Sequence, residues 1–209
     1  MVEAEQLALK LVAQMARSEL LVAFGIDVES EGAKPAAKKQ MSDDGAPLPF
    51  FGCVLENGRL LVNCARQTGT SVNEVSLGQV AAEAGHRTIS SHLLGGRKVS
   101  LLLCGEVLSE AWRTHLRQVQ PALVLHPAHA SVVLGGASQE SWKPKVDDLL
   151  RGLPGSSAWV FADHVKAMSH QAGGAFVNPV RQGANGTATF VSETDVKEGW
   201  LYAYEVDLN

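Results

Sequence analysis

The stretch Val99-Ser100-Leu101-Leu102-Leu103-Cys104-Gly105-Glu106 decides the reading of this sequence. An apolar run leads into a cysteine, a glycine and a carboxylate, and Val107, Leu108, Ala111, Trp112 and Leu116 follow at helical spacing. Such a succession predicts a buried strand that turns sharply into an amphipathic helix. In α/β folds the carboxyl end of a strand is where sites tend to form. A cysteine there would lie near the positive amino end of the next helix, which favours the nucleophilic thiolate. Gly105 would permit the bend. The alternative is a packing cysteine, because cysteine is among the most buried residue types.

The chain around this corner has 209 residues, 45% of them hydrophobic, and a formal charge of −4, which suits one globular domain spanning 1–209. The only basic pair of note is Lys38-Lys39, so nucleic acid is not expected as a partner. Cys53, Cys64 and Cys104 are odd in number and widely spaced, which fits a reducing compartment better than a disulfide framework. Charges through Met1–Leu20 argue against a signal peptide, and no window approaches a membrane span. These features predict a soluble cytoplasmic chain without membrane partners.

Working outward, residues 3–18 read as an amphipathic helix and Leu20–Ile26 as a buried strand. Residues 29–48 are a long polar loop, and 72–87 read as irregular. Asn57-Gly58 between the apolar runs 50–55 and 59–64 is a strong hairpin signal. Residues 86–94 read as a strand, with Gly95-Gly96 as a turn into the Cys104 strand. Beyond it come a helix at 107–118, a strand at 122–126, a helix near 142–151 and a strand at 158–162. Strands at 173–179, 188–191 and 200–206 close the chain. Alternation in the middle with hairpins at both ends argues for an α/β fold with a mixed sheet or two stacked sheets.

His126, His129 and His164 fall at strand ends, where a Cys–His pair or a zinc site could be built. The His126-x-x-His129 spacing is not a ligand signature, and the preferred reading is that His126 and His164 bond to backbone at the sheet edge. Gly95-Gly96 and Gly135-Gly136 lack the flanks of a phosphate loop.

From about residue 50 onward the order of elements resembles the nitrilase, or carbon–nitrogen hydrolase, superfamily. The matching residues are Asn57-Gly58, Leu101–Cys104, Glu106, His126-Pro127-Ala128, Trp142, Ala162-Asp163, Gly174–Pro179 and Glu205-Val206-Asp207-Leu208. The resemblance implies a four-layer α-β-β-α sandwich with mixed sheets, pairing into homo-oligomers, and no metal or organic cofactor. It implies attack of Cys104 on a small-molecule amide or nitrile through a thioester-type intermediate. The family's catalytic lysine position falls on Arg66, which stays charged and can hold an oxyanion but cannot titrate. The family's base follows a Pro-Glu step that is missing here, so the resemblance implies a chain lacking the first strands. Glu29, Glu74 or Glu83 would substitute, and Glu83 completes the expected catalytic set with Cys104 and Arg66. Glu106, His129, Trp142 and His164 are the expected substrate-binding residues. Two alternatives stand beside the enzyme: a non-catalytic relative that binds a small molecule or protein, and a chain whose missing strands come from a partner.

Overall fold

In the computed structural model the described residues are 6, 10, 19–27, 50–69, 75–128, 137–163, 180–182, 189–196, 199–205 and 208. Positions 6 and 10 are helical, in keeping with the amino-terminal helix expected there. The polar loop 29–48 and the strand expected at 173–179 lie outside the described residues, as do His129, His164, Glu29 and Glu74.

Three strands, β1 (Leu21–Asp27), β2 (Phe50–Glu56) and β3 (Arg59–Arg66), form an antiparallel sheet in chain order. Asn57 and Gly58 join β2 to β3 with φ of 52° and 71°, the left-handed pair that a tight hairpin turn requires. All seven residues of β2 are buried, as its central position demands, whereas on the edge strand β3 only Val62 is buried and the rest are part-buried or exposed.

Helix α1 (Leu77–Ala84) leads to β4 (Thr88–Ser91), and Gly95 and Gly96 turn the chain into β5 (Arg97–Leu101). A 3-10 turn at Cys104–Leu108 precedes α2 (Glu110–Val119), followed by β6 (Leu123–Ala128), α3 (Ala137–Arg151) and β7 (Ala158–Asp163). β8 (Val180–Gln182) completes a five-stranded sheet in the order β4-β5-β6-β7-β8. Its middle strands β5, β6 and β7 are parallel, and both edges are antiparallel. β9 (Thr189–Val196) and β10 (Gly199–Glu205) form a separate antiparallel pair.

The fold is therefore mixed α/β with antiparallel and mixed sheets. Phe50, Val54 and Val62 of the first sheet pack with Val99, Leu101, Leu103 and Leu125 of the second. The opposite face of the larger sheet packs through Val124, Trp159 and Phe161 against Val80, Trp112, Leu116, Val146 and Leu149 of the helices. Sheet, sheet and helices are three layers of the expected α-β-β-α stack. No helix among the described residues is long and apolar enough to cross a membrane.

Three local expectations are corrected. Residues 77–84 are helical because Ser76 and Gln79 form a reciprocal cap: Gln79 N–H donates to Ser76 Oγ (3.2 Å), and Ser76 N–H to Gln79 Oε1 (2.9 Å). The strand expected over 86–94 is confined to Thr88–Ser91, since Arg87 turns inward and 92–96 are a turn. The helix expected at 107–118 begins at Glu110, because the Glu106 carboxylate is drawn into the interior and folds 104–108 into a tight turn.

Candidate active site at the Cys104 corner

Cys104 lies where the parallel strands end. Leu101 pairs with Leu125, Ala128 pairs with Asp163, and Cys104 and Ala128 come three residues after Leu101 and Leu125. It is half-buried and packs against both apolar cores, one on each face of the sheet. Its φ is +42°, a left-handed conformation that an L-residue with a Cβ adopts at a cost of about 1–2 kcal/mol. Such strain persists only where the surroundings over-determine it.

Polar contacts to the backbone on either side of Cys104 supply that constraint. His126 Nε2 lies 2.7 Å from the Cys104 carbonyl, and Trp159 Nε1–H donates to His126 Nδ1 at 3.2 Å. A carbonyl only accepts and an indole only donates, so His126 is the neutral Nε2–H tautomer with both nitrogens engaged. The ring is 1% exposed and lies edge-on to Phe161. Burial holds its pKa down at about 4, against a smaller upward pull from the Cys104 carbonyl. The backbone bond is the one preferred from the sequence, made here on the central strand β6 rather than at a sheet edge.

Glu106 is fully buried and organises the other side of the corner. Arg87 Nη1 donates to its two carboxylate oxygens at 2.9 and 2.8 Å, and the backbone amides of Leu103 and Thr68 each donate at 2.8 Å. The Thr68 hydroxyl adds a contact at 3.3 Å and accepts from Trp112 Nε1 at 3.2 Å. Burial pushes the Glu106 carboxyl upward, and Arg87, Thr68 and Leu103 pull against it. The Arg87 guanidinium lies 4.6 Å from the Trp112 ring centroid, and its Nη2 donates to the Arg66 carbonyl. Glu106 thus ties the end of β3 to the Cys104 turn. Arg113 secures the far end of that turn by donating from Nη1 to the Val107 carbonyl at 2.8 Å.

The other expected site residues are distributed as follows. Arg66 contributes its carbonyl to Arg87, while its guanidinium lies 5.4 Å from the Phe51 ring centroid. Phe51 belongs with Ile26 and Cys53 to an apolar cluster separate from those that hold Cys104. Glu83, on α1, faces Arg87 at 3.9 Å with its side chain 46% exposed. Trp142 lies in α3, and its side chain is outside what is described. Among the described residues no group of three or more His, Cys, Asp or Glu could hold a metal ion.

Sequence reasoning missed Arg87, Thr68 and Trp112 as partners of the corner. The signal for Arg87 was weak: a buried carboxylate at 106 demands a cation, but nothing in the spacing chooses Arg87 over other basic residues. It also placed the dipole of a long helix behind Cys104. The element there is a five-residue 3-10 turn, and the α-helix starts six residues later, beyond the reach of a terminal dipole.

No family model and no curated protein matches the chain. Among solved structures its neighbours include a carbon–nitrogen hydrolase from Helicobacter pylori G27, with 9% identity and a TM-score of 0.47, covering 97% of this chain and 59% of that one. They also include the glutamine-dependent NAD+ synthetase from Acinetobacter baumannii in complex with adenosine diphosphate. That match has 17% identity and a TM-score of 0.44, covering 78% of this chain and 29% of the other. The chain therefore spans less than two thirds of either neighbour.

Proposed function

We propose that the chain is a thiol-dependent carbon–nitrogen hydrolase domain with Cys104 as nucleophile. The observation that carries this reading is the left-handed Cys104 at the end of a buried parallel strand, its carbonyl held by His126 and its flanking amide by Glu106. Neither contact is needed merely to pack a thiol.

In the proposed reaction the Cys104 sulfur attacks the carbonyl carbon of an amide, and the oxygen takes up the electron pair of the C=O bond. The Glu106 amide is committed to the Leu103 carbonyl at 2.9 Å, so the oxyanion is assigned to the Gly105 amide. The tetrahedral species collapses, the C–N bond breaks, and the amine leaves with the thiol proton. Water then attacks the thioester, releasing the acid and restoring the thiol. A nitrile would enter the same scheme through a thioimidate, with added water before release. Glu106 is a positioning residue here, not a substrate ligand, since Arg87, Thr68 and Leu103 use its oxygens.

A second reading, a binding module without turnover, is favoured by the engagement of Glu83 with Arg87 and of both His126 nitrogens. One experiment separates the two. A panel of amides and nitriles is assayed with the wild type and Cys104→Ala, and iodoacetamide labelling of the folded protein is followed residue by residue. The enzyme reading expects turnover lost in Cys104→Ala, with Cys104 labelled faster than Cys53 and Cys64. Equal labelling with no turnover above background would leave the binding module.

A further inference from the structure

Cys53 and Cys64 stand apart from the Cys104 corner, on β2 and β3. Their sulfurs are 3.3 Å apart, and both are reduced thiols. The hairpin register explains the meeting. Leu55 faces Leu60 near the turn, but pairing shifts twice between Leu55 and Gly52, which faces Ala65. Continued without those shifts, the register near the turn would set Cys53 opposite Val62 and Cys64 opposite Phe51. The irregularity instead brings both cysteines into one cluster with Ile26, Phe51, Phe24 and Leu60.

The backbone makes the arrangement specific. Cys64 has φ of +43°, at an irregularity where glycine would be the undemanding choice. A cysteine is held there instead, and its amide donates to Cys53 Sγ at 3.3 Å. Cys53 is 0% exposed, whereas Cys64 is half-buried on the edge strand, so the two sulfurs differ in access.

We infer that Cys53 and Cys64 are a site of reversible oxidation, closing to a cross-strand disulfide when the protein meets hydrogen peroxide. The partly exposed Cys64 sulfur attacks one peroxide oxygen, the O–O bond breaks, and Cys64 becomes a sulfenic acid with release of water. The Cys53 sulfur then attacks the Cys64 sulfur, the S–O bond breaks, and the hydroxyl leaves with the Cys53 proton as a second water. Two thiols lose two electrons, and the peroxide takes them. Burial and the Cys64 contact push the Cys53 thiol up to about 12, which accords with Cys64 meeting the oxidant first. The clip lies two residues before Arg66, whose carbonyl Arg87 holds. The inference does not depend on Cys104 being a nucleophile.

The test treats the full chain with hydrogen peroxide, blocks remaining thiols, and reads the intact mass and the linked peptides. The expected result is loss of two hydrogen atoms, a peptide joining Cys53 to Cys64, and recovery of both thiols with dithiothreitol. Cys64→Gly, which suits the left-handed backbone, is expected to fold and to abolish the link. Cys53→Ser is expected to leave Cys64 as a sulfenic acid that dimedone traps. The inference is overturned if both thiols survive peroxide in the wild type, if a two-hydrogen loss persists in Cys64→Gly, or if the link joins Cys104 instead.

Discussion

His126 gives the corner a calculable pH dependence. In the unfolded chain a histidine titrates near pH 6.5, whereas burial holds His126 at about 4 in the fold. The unfolded state therefore binds a proton that the folded state refuses. Stability from this group is fully present above about pH 6.5 and drains away as pH falls toward about 4. A separation of roughly 2.5 units at 1.36 kcal/mol each amounts to about 3 kcal/mol. His115, also lowered by burial, contributes in the same sense; Glu106, raised by burial, opposes it. The effect of His126 is isolated by difference. Urea midpoints are measured across the window for wild type and for His126→Gln, which retains a donor toward the Cys104 carbonyl but does not titrate. The wild type should lose about 3 kcal/mol more than His126→Gln between the two limits, provided the slope m is unchanged. Parallel curves, or a native-state NMR titration of His126 near 6.5, would refute the buried neutral tautomer.

Two further substitutions probe the frame around the corner. Glu106→Gln removes the buried counter-charge of Arg87, itself 1% exposed, and leaves it the half-exposed Glu83 at 3.9 Å, so it should cost about 3–5 kcal/mol in urea unfolding; a cost below about 1 kcal/mol would mean that Glu106 is held as the neutral acid. A Cβ on Gly52 would lie 2.3 Å from Leu103 Cδ2 and 3.2 Å from Leu101 Cδ2, so Gly52→Ala should destabilise by about 1–3 kcal/mol and alter Cys104 labelling through Leu103. Unchanged thermal unfolding of Gly52→Ala would show that the two sheets are not in tight contact there.

Local chemistry was legible where it acts over a few residues. Asn57-Gly58 announced its hairpin because two left-handed residues are costly for most other pairs. The apolar runs announced β5, β6 and β7 because strands buried on both faces tolerate little else. Ser76 and Gln79 carried a legible cap that the mixed composition of 72–87 masked. Long-range pairings were not legible. Arg87 and Glu106 are 19 residues apart and meet only because β4 and β5 bring the chain back; Cys53 and Cys64 meet only because the register shifts. Arg66 was read from its place in the chain, but position alone does not direct a long side chain, and its guanidinium lies over Phe51.

The polar frame itself bears on what the corner is for. A buried arginine–glutamate pair is seldom the most stable filling of a core, since well-packed apolar residues of similar volume often do as well or better. Nor does a histidine held neutral by burial add to a core what a leucine could not. What these groups provide is direction. Glu106 accepts from the amides of Leu103 and Thr68, His126 donates to the Cys104 carbonyl, and Arg87 donates to the Arg66 carbonyl. An apolar core of equal volume would leave those backbone groups unpaired, and the left-handed Cys104 would be free to relax. The cost of burying three titratable groups is thus matched to a geometric result, a cysteine fixed at the end of a parallel strand. That result is more than a packing thiol requires, and it is what the proposed nucleophile would need to meet a carbonyl carbon along a set line.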